Sequence, residues 1–209
     1  MRSTLIKYLL LSTTLIFTSK ILEKYLHLDK LIYNSLSENL TNQQVEIFLE
    51  IKEKSKCINY AIIPFFLLLK IAIITSIIYI GSFFMNKELK YKPLINIVLN
   101  AEFIFLLVPI FKIIWFYFFQ TNYNLNDIQN FYPLSALNIV GYKGLETWFI
   151  YPFQVLNLFE VFYIIYLGFE IGKLTHTNTD YGLKIVGISY IPALVLWVAT
   201  VMFFTLNYS

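Results

Sequence analysis

The chain has 209 residues, 58% hydrophobic and 14% charged, with 16 basic and 13 acidic side chains and a net charge of +3. A soluble domain of 24.7 kDa has too small an interior for that apolar share, and a mean hydropathy of +0.65 points to a chain solvated by lipid. The basic residues are dispersed, which leaves no footprint for nucleic acid, and the single cysteine, Cys57, excludes an internal disulfide and a cysteine metal cluster and reads as a small apolar filler.

Residues 1–58 read as an amino-terminal anchor followed by amphipathic helices. The run 4–19, bounded by Arg2 and Lys20, is short for a membrane span. It has the basic start and apolar middle of a signal peptide, but no small-residue cleavage site follows, so an uncleaved anchor is expected. From 21 to 33 the spacing of Ile21, Tyr25, Leu28 and Ile32 predicts a helix lying on the membrane or on the bundle. Thr41 and Gln44 form a capping-box pattern, with Leu40 and Val45 as its hydrophobic staple, that starts a new helix at 42. Glu50 and Lys54 support that helix as an i,i+4 pair, and it is expected to run on into the next span.

Residues 59–209 read as a transmembrane bundle. The runs 59–85, 94–119, 148–171 and 185–206 are each long enough to cross the hydrocarbon. The fold class that follows is all-α, a polytopic helical bundle of about five membrane segments including the weak amino-terminal one. Between the second and third long runs, residues 120–147 carry the Asn, Asp, Pro and Gly punctuation of a loop, and its part 131–140 is expected to dip back into the interface. Lys87, Lys90 and Lys92 on one loop, with Lys173 and Lys184 flanking another, place both loops in the cytoplasm together with Arg2 and Lys7. Lys52, Lys54 and Lys56 run against that arrangement, which inverts if the first run does not span.

Four charges fall in the interior of the long runs, away from their ends: Lys70, Glu102, Lys112 and Glu160. Each costs about 2.5–3.5 kcal/mol at the bilayer centre, so neutralisation inside the bundle is expected. Lys70 and Glu160 both lie about halfway along their runs, which predicts a Lys70–Glu160 pair with Glu102 adjacent. Gln154, Asn157 and Glu160 recur every three residues and form one polar stripe on a continuous helix. The network reads as a structural lock that fixes which helices meet, with an ion or proton pathway as its rival. Scarce glycine and no sign of a discontinuous helix argue against a transporter of the repeat type. Pro64 and Pro152 fall near span starts, whereas Pro109 and Pro192 are interior and expected to kink their helices. His27 and His176 read as solvated loop residues. No HExxH, GxSxG or glycine-rich phosphate loop occurs, so neither catalysis nor a cofactor is expected.

The segment 152–172, with Pro152, Phe159, Gly168 and Gly172 in place, resembles the carboxy-terminal half of the Yip1-like family of polytopic membrane proteins, in an uncharacterised branch from Bacteroidota. Asn157 stands where that pattern has an acid, Phe162 where it has Trp, and Glu160 is a further departure. The resemblance implies a helical membrane fold; the trafficking role of eukaryotic relatives, through small GTPases, does not carry to a bacterial chain. The expected function is that of a non-catalytic scaffold or accessory subunit in the bacterial cytoplasmic (inner) membrane. Its partners are the lipid bilayer and either another membrane protein or a second copy. The alternative is a small transporter component that uses the buried Lys/Glu cluster.

Overall fold

The computed structural model describes residues 2–208. The side chains of Arg2, Cys57 and Tyr208 lie outside the described set, and with them the readings of Cys57 as a filler and Arg2 as a cytoplasmic flank. The amino-terminal run is longer than its apolar letters suggest, because α1 spans Arg2–Tyr25 and its Ser3–Tyr25 part is long and apolar enough to cross a membrane. The helix expected over 21–33 is two helices instead. His27, in the left-handed region at φ 49°, ends one and starts α2 (Leu28–Ser37). That turn brings Glu23 and Asp29 to the same side of α3 (Asn42–Phe84). There Lys52 bonds Asp29 at 2.6 Å and lies 3.5 Å from Glu23, Lys56 lies within 3.9 Å of both acids, and the Tyr60 hydroxyl donates to Glu23 at 2.9 Å. The hydrogen bond from Lys52 holds the Asp29 carboxyl below its usual range.

The capping box forms as the sequence predicts: the Thr41 amide donates to the Gln44 side chain at 3.0 Å. The helix it opens is 43 residues long, about 65 Å at the standard rise, and passes without interruption into the first long span. Pro64 is therefore deep inside α3 rather than near its start. Its own carbonyl accepts from the Tyr8 hydroxyl at 2.7 Å, which ties α1 to α3.

The second long span is α4 (Tyr91–Glu102), a 3-10 turn (Phe103–Leu106) and α5 (Leu107–Phe118). The turn includes Phe105, whose carbonyl Pro109 cannot bond, so the helix tightens where the sequence places a kink. The loop after it holds the short helices α6 (Leu125–Asn130) and α7 (Leu137–Val140). The last helix, α10 (Thr179–Tyr208), stays helical through Pro192.

The third run departs most from expectation. It is not one helix but two, α8 (Thr147–Val155) and α9 (Leu158–Leu174), separated at Leu156 and Asn157. Both pieces still run antiparallel to α10, since Tyr151 meets Trp197, Glu160 meets Tyr190, and Gly168 lies against Leu183. Among the described residues, then, four helical stretches are long and apolar enough to cross a membrane, the second of them through a 3-10 turn, and α8–α9 runs beside α10 in two pieces.

Glycine sets how closely these helices approach. Gly168 and Gly172, four apart on α9, face Gly182 on α10, and a Cβ at Gly182 would overlap the Gly168 carbonyl oxygen and approach the Gly172 nitrogen to 2.6 Å. Small residues at this spacing let two backbones touch in lipid, where dispersion drives association. The Tyr181 hydroxyl then donates to the Met85 carbonyl at 2.7 Å, bringing the start of α10 to the end of α3. The ends of α3 and α9 and the starts of α4 and α10 thus share one end of the bundle. α1 runs parallel to α4–α5, with Lys7 against Asn100 and Leu26 beside Phe116, so the amino terminus belongs to that end too.

Gly182→Ala is expected to lower stability in detergent by about 1–3 kcal/mol through overpacking. Gly187→Ala, whose Cβ meets nothing within 4 Å, is expected to leave it unchanged or slightly raised. Chemical unfolding of both variants by circular dichroism checks this, and equal midpoints would mean the α9–α10 crossing is looser than described.

Candidate functional site

Three helices converge on Glu102. It ends α4, is only 4% exposed, and takes the Lys70 ammonium on one oxygen at 2.8 Å and the Tyr163 hydroxyl on the other at 3.1 Å. Lys70 comes from the middle of the apolar part of α3 and Tyr163 from α9, so α3, α4 and α9 meet through one carboxylate. The ammonium also sits 4.2 Å from the centre of the Phe105 ring, an arrangement worth about 0.5–2 kcal/mol. Tyr163 is fully buried and its ring packs on Phe105 and Tyr190.

Glu160 does not pair with Lys70. It sits in the first turn of α9 and accepts the Tyr190 hydroxyl of α10 at 2.6 Å. The expectation of a Lys70–Glu160 pair rested on equal depth along unbroken helices, and depth does not fix which way a side chain turns. Glu160 is directed to α10 and Glu102 to α3, one carboxylate for each side of α9.

The stripe of Gln154, Asn157 and Glu160 does not exist as a stripe, because the helix breaks in its middle. Asn157 caps α9, its Oδ1 accepting from the Glu160 amide at 2.8 Å, while its Nδ2 donates to the carbonyls of Gln154 and Val155, each at 2.9 Å. One side chain thus stitches the end of α8 to the start of α9. The remaining backbone groups are met by the preceding loop: the Ala136 amide donates to Leu156 O at 2.8 Å and the Leu158 amide to Leu134 O at 3.1 Å, an antiparallel bridge between Ser135 and Asn157. Ser135, Leu137 and Asn157 are buried. The break lies between the Tyr151–Trp197 and Glu160–Tyr190 contacts, so the loop meets the bundle there through Pro133, Ser135 and Leu137, while its end at 138–140 stays exposed. Irregular backbone at this depth requires such cover. Leu134 adopts φ 53°, a left-handed conformation that costs a leucine about 1 kcal/mol or more. Gln154 points away and donates to Asn130 O at 3.2 Å.

Lys112 joins none of this. It is half-buried on α5, and no hydrogen bond or ion pair to it occurs among the described residues. Lys7, read from the sequence as a flank, bonds Asn100 Oδ1 at 2.9 Å, two residues from Glu102. Sequence reasoning also missed Tyr163 and Tyr190, because 16 tyrosines look like compositional bias. Tyr163 stands three residues after Glu160, and that spacing was the available signal. Both histidines occupy left-handed positions, His27 before α2 and His176 after α9, where they end helices. A recess of about 190 Å³ lined by Trp115, Asp127, Asn130 and Tyr142 lies in the loop region, apart from the buried carboxylates. There the hydrogen bond to Asp127 pushes the Tyr142 phenol up to about 12.

Fold and site together define a multi-pass α-helical membrane protein with paired charges at the centre of its bundle. No family model matches the chain, and no curated protein and no solved structure is significantly similar to it.

Replacing Asn157 by Ala removes the α9 cap and two donated hydrogen bonds and is expected to lower stability by about 1–2 kcal/mol. Asn157→Asp keeps the acceptor and should lose less. Thermal unfolding in detergent separates the two, and an unchanged Asn157→Ala would show that the backbone bridge alone holds the break.

Proposed function

We propose that this protein is a non-catalytic scaffold or accessory subunit of a membrane complex, in the cytoplasmic membrane of a bacterium. The observation that supports it is that the two carboxylates inside the bundle and the broken helix end are answered by the chain's own groups. Glu102 takes Lys70 and Tyr163, Glu160 takes Tyr190, and the amino terminus of α9 takes Asn157. These bonds link α3, α4, α9 and α10, which is what a lock on helix arrangement requires. The Yip1-like resemblance over 152–172 belongs to this reading. Of the residues that carry it, Gly168 and Gly172 form the close crossing with α10.

One observation favours the second reading, a small proton-coupled transporter component. The α8–α9 helix is discontinuous, and Glu160 lies in the first turn beyond its break. Interrupted spans with an acid at the interruption are a construction transporters use.

The two readings separate in proteoliposomes loaded with a pH-sensitive dye. Under an imposed potential, the scaffold reading predicts proton flux equal to that of empty vesicles, unchanged by Glu160→Gln. A flux several-fold above background that Glu160→Gln abolishes overturns it in favour of transport.

A further inference from the structure

α3 is about twice as long as the hydrocarbon is thick, and its first 16 residues, 42–57, precede the apolar stretch Ile58–Phe84. This arm has two distinct faces. Lys52 and Lys56 point toward α1 and α2, where Glu23 and Asp29 neutralise them. That contact fixes the rotation of the helix. On the side turned away from those lysines Ile47 is 50% exposed and Ile51 59%.

These residues are not an isolated patch. Ile47, Ile51, Ile58, Ile62, Phe65, Leu69, Ile73 and Ile80 all fall on one face at helical spacing, and all are large and exposed. From Ile58 onward that face is the lipid-facing surface of a membrane span, and it continues without rotation to Ile47, about 16 Å further. Lys54, Ser55 and Ser76 interrupt the stripe; Lys54 pairs with Glu50 at 2.7 Å, and the two hydroxyls donate back to their own helix at the Ile51 and Ala72 carbonyls. A lysine one turn outside the hydrocarbon sits at headgroup depth, where its stem lies along apolar surface and its ammonium meets phosphate. Pro64, which lacks the amide that would bond the Tyr60 carbonyl, gives the helix a place to bend within the first two turns of the span.

We propose that the 42–57 arm of α3 lies against the phospholipid surface, with Ile47 and Ile51 inserted at the headgroup–acyl boundary and the Lys52/Lys56 face turned to α1 and α2. The bilayer is the occupant because the exposed face is continuous with one that already touches lipid. On this reading the arm, with α2 clamped to it, lies along the membrane rather than standing up into water.

The test uses the full chain with Cys57→Ser, carrying a single nitroxide at Ile47→Cys, Ile51→Cys or Ile58→Cys, either arm position sufficing where the other does not elute as a folded species. Glu53→Cys, on the exposed polar side, is the aqueous control. In phosphatidylethanolamine–phosphatidylglycerol vesicles, collision with oxygen is compared with collision with a water-soluble nickel chelate. Labels at 47 and 51 are expected to behave as the label at 58 does, favouring oxygen several-fold, with the reverse at 53. Nickel accessibility at 47 and 51 equal to that at 53 would put the arm in water. Low collision with both reagents would mean that protein, either a second copy or a partner, covers the stripe. Either result overturns the proposal.

Discussion

One buried carboxylate holds this bundle together. Glu102 would be the least tolerable group in the molecule if left alone, since an ionised carboxylate in low dielectric loses its hydration without return. Two donors on two other helices answer it, Lys70 from α3 and Tyr163 from α9. Lipid tails give no preference for one apolar helix face over another, so a requirement of this kind decides which helices become neighbours. The pair is asymmetric: the Lys70 side chain is 44% exposed where Glu102 is 4% exposed. The ammonium therefore serves the carboxylate more than the reverse, with its outer side lying on Phe105.

Around that point the other contacts are consequences. Tyr163 can reach Glu102 only if α9 is close to α4, and α9 is held on its other side by the glycine crossing with α10 and by the Glu160–Tyr190 bond. The break before α9 is compatible with membrane depth because Asn157 and the loop at Leu134–Ala136 satisfy the backbone it exposes. The strain at Leu134 is the local cost of bringing that loop in. The bundle is thus specified by a few polar and small residues set in apolar surface that is otherwise interchangeable.

How much of this was legible in the sequence depended on whether the signal was local. The long apolar runs, the capping box at Thr41 and Gln44, and the continuity of α3 into its span are all local, and the structure has them. The break at Leu156–Asn157 is not, because it needs a loop 20 residues upstream to supply partners. Its sequence is also ambiguous: Asn157 followed three residues later by Glu160 fits a polar helical stripe, but equally an N-cap with an acid in the first turn. Reading it as a stripe hid the discontinuity and so weakened the transporter reading prematurely. The charge cluster was legible as a set but not as pairs, since helix depth gives one coordinate and rotation about the axis another.

Lys70 answers Glu102 and not Glu160, a pairing that two double-mutant cycles measured side by side put to the test. Unfolding free energies in detergent for Lys70→Met with Glu102→Gln, and for Lys70→Met with Glu160→Gln, give the two couplings. The structure predicts a coupling of about 1–3 kcal/mol in the first cycle, reduced from the fully buried value by the exposure of Lys70, and additivity within about 0.5 kcal/mol in the second. Strong coupling to Glu160 with additivity at Glu102 would contradict the arrangement of α3, α4 and α9 described above.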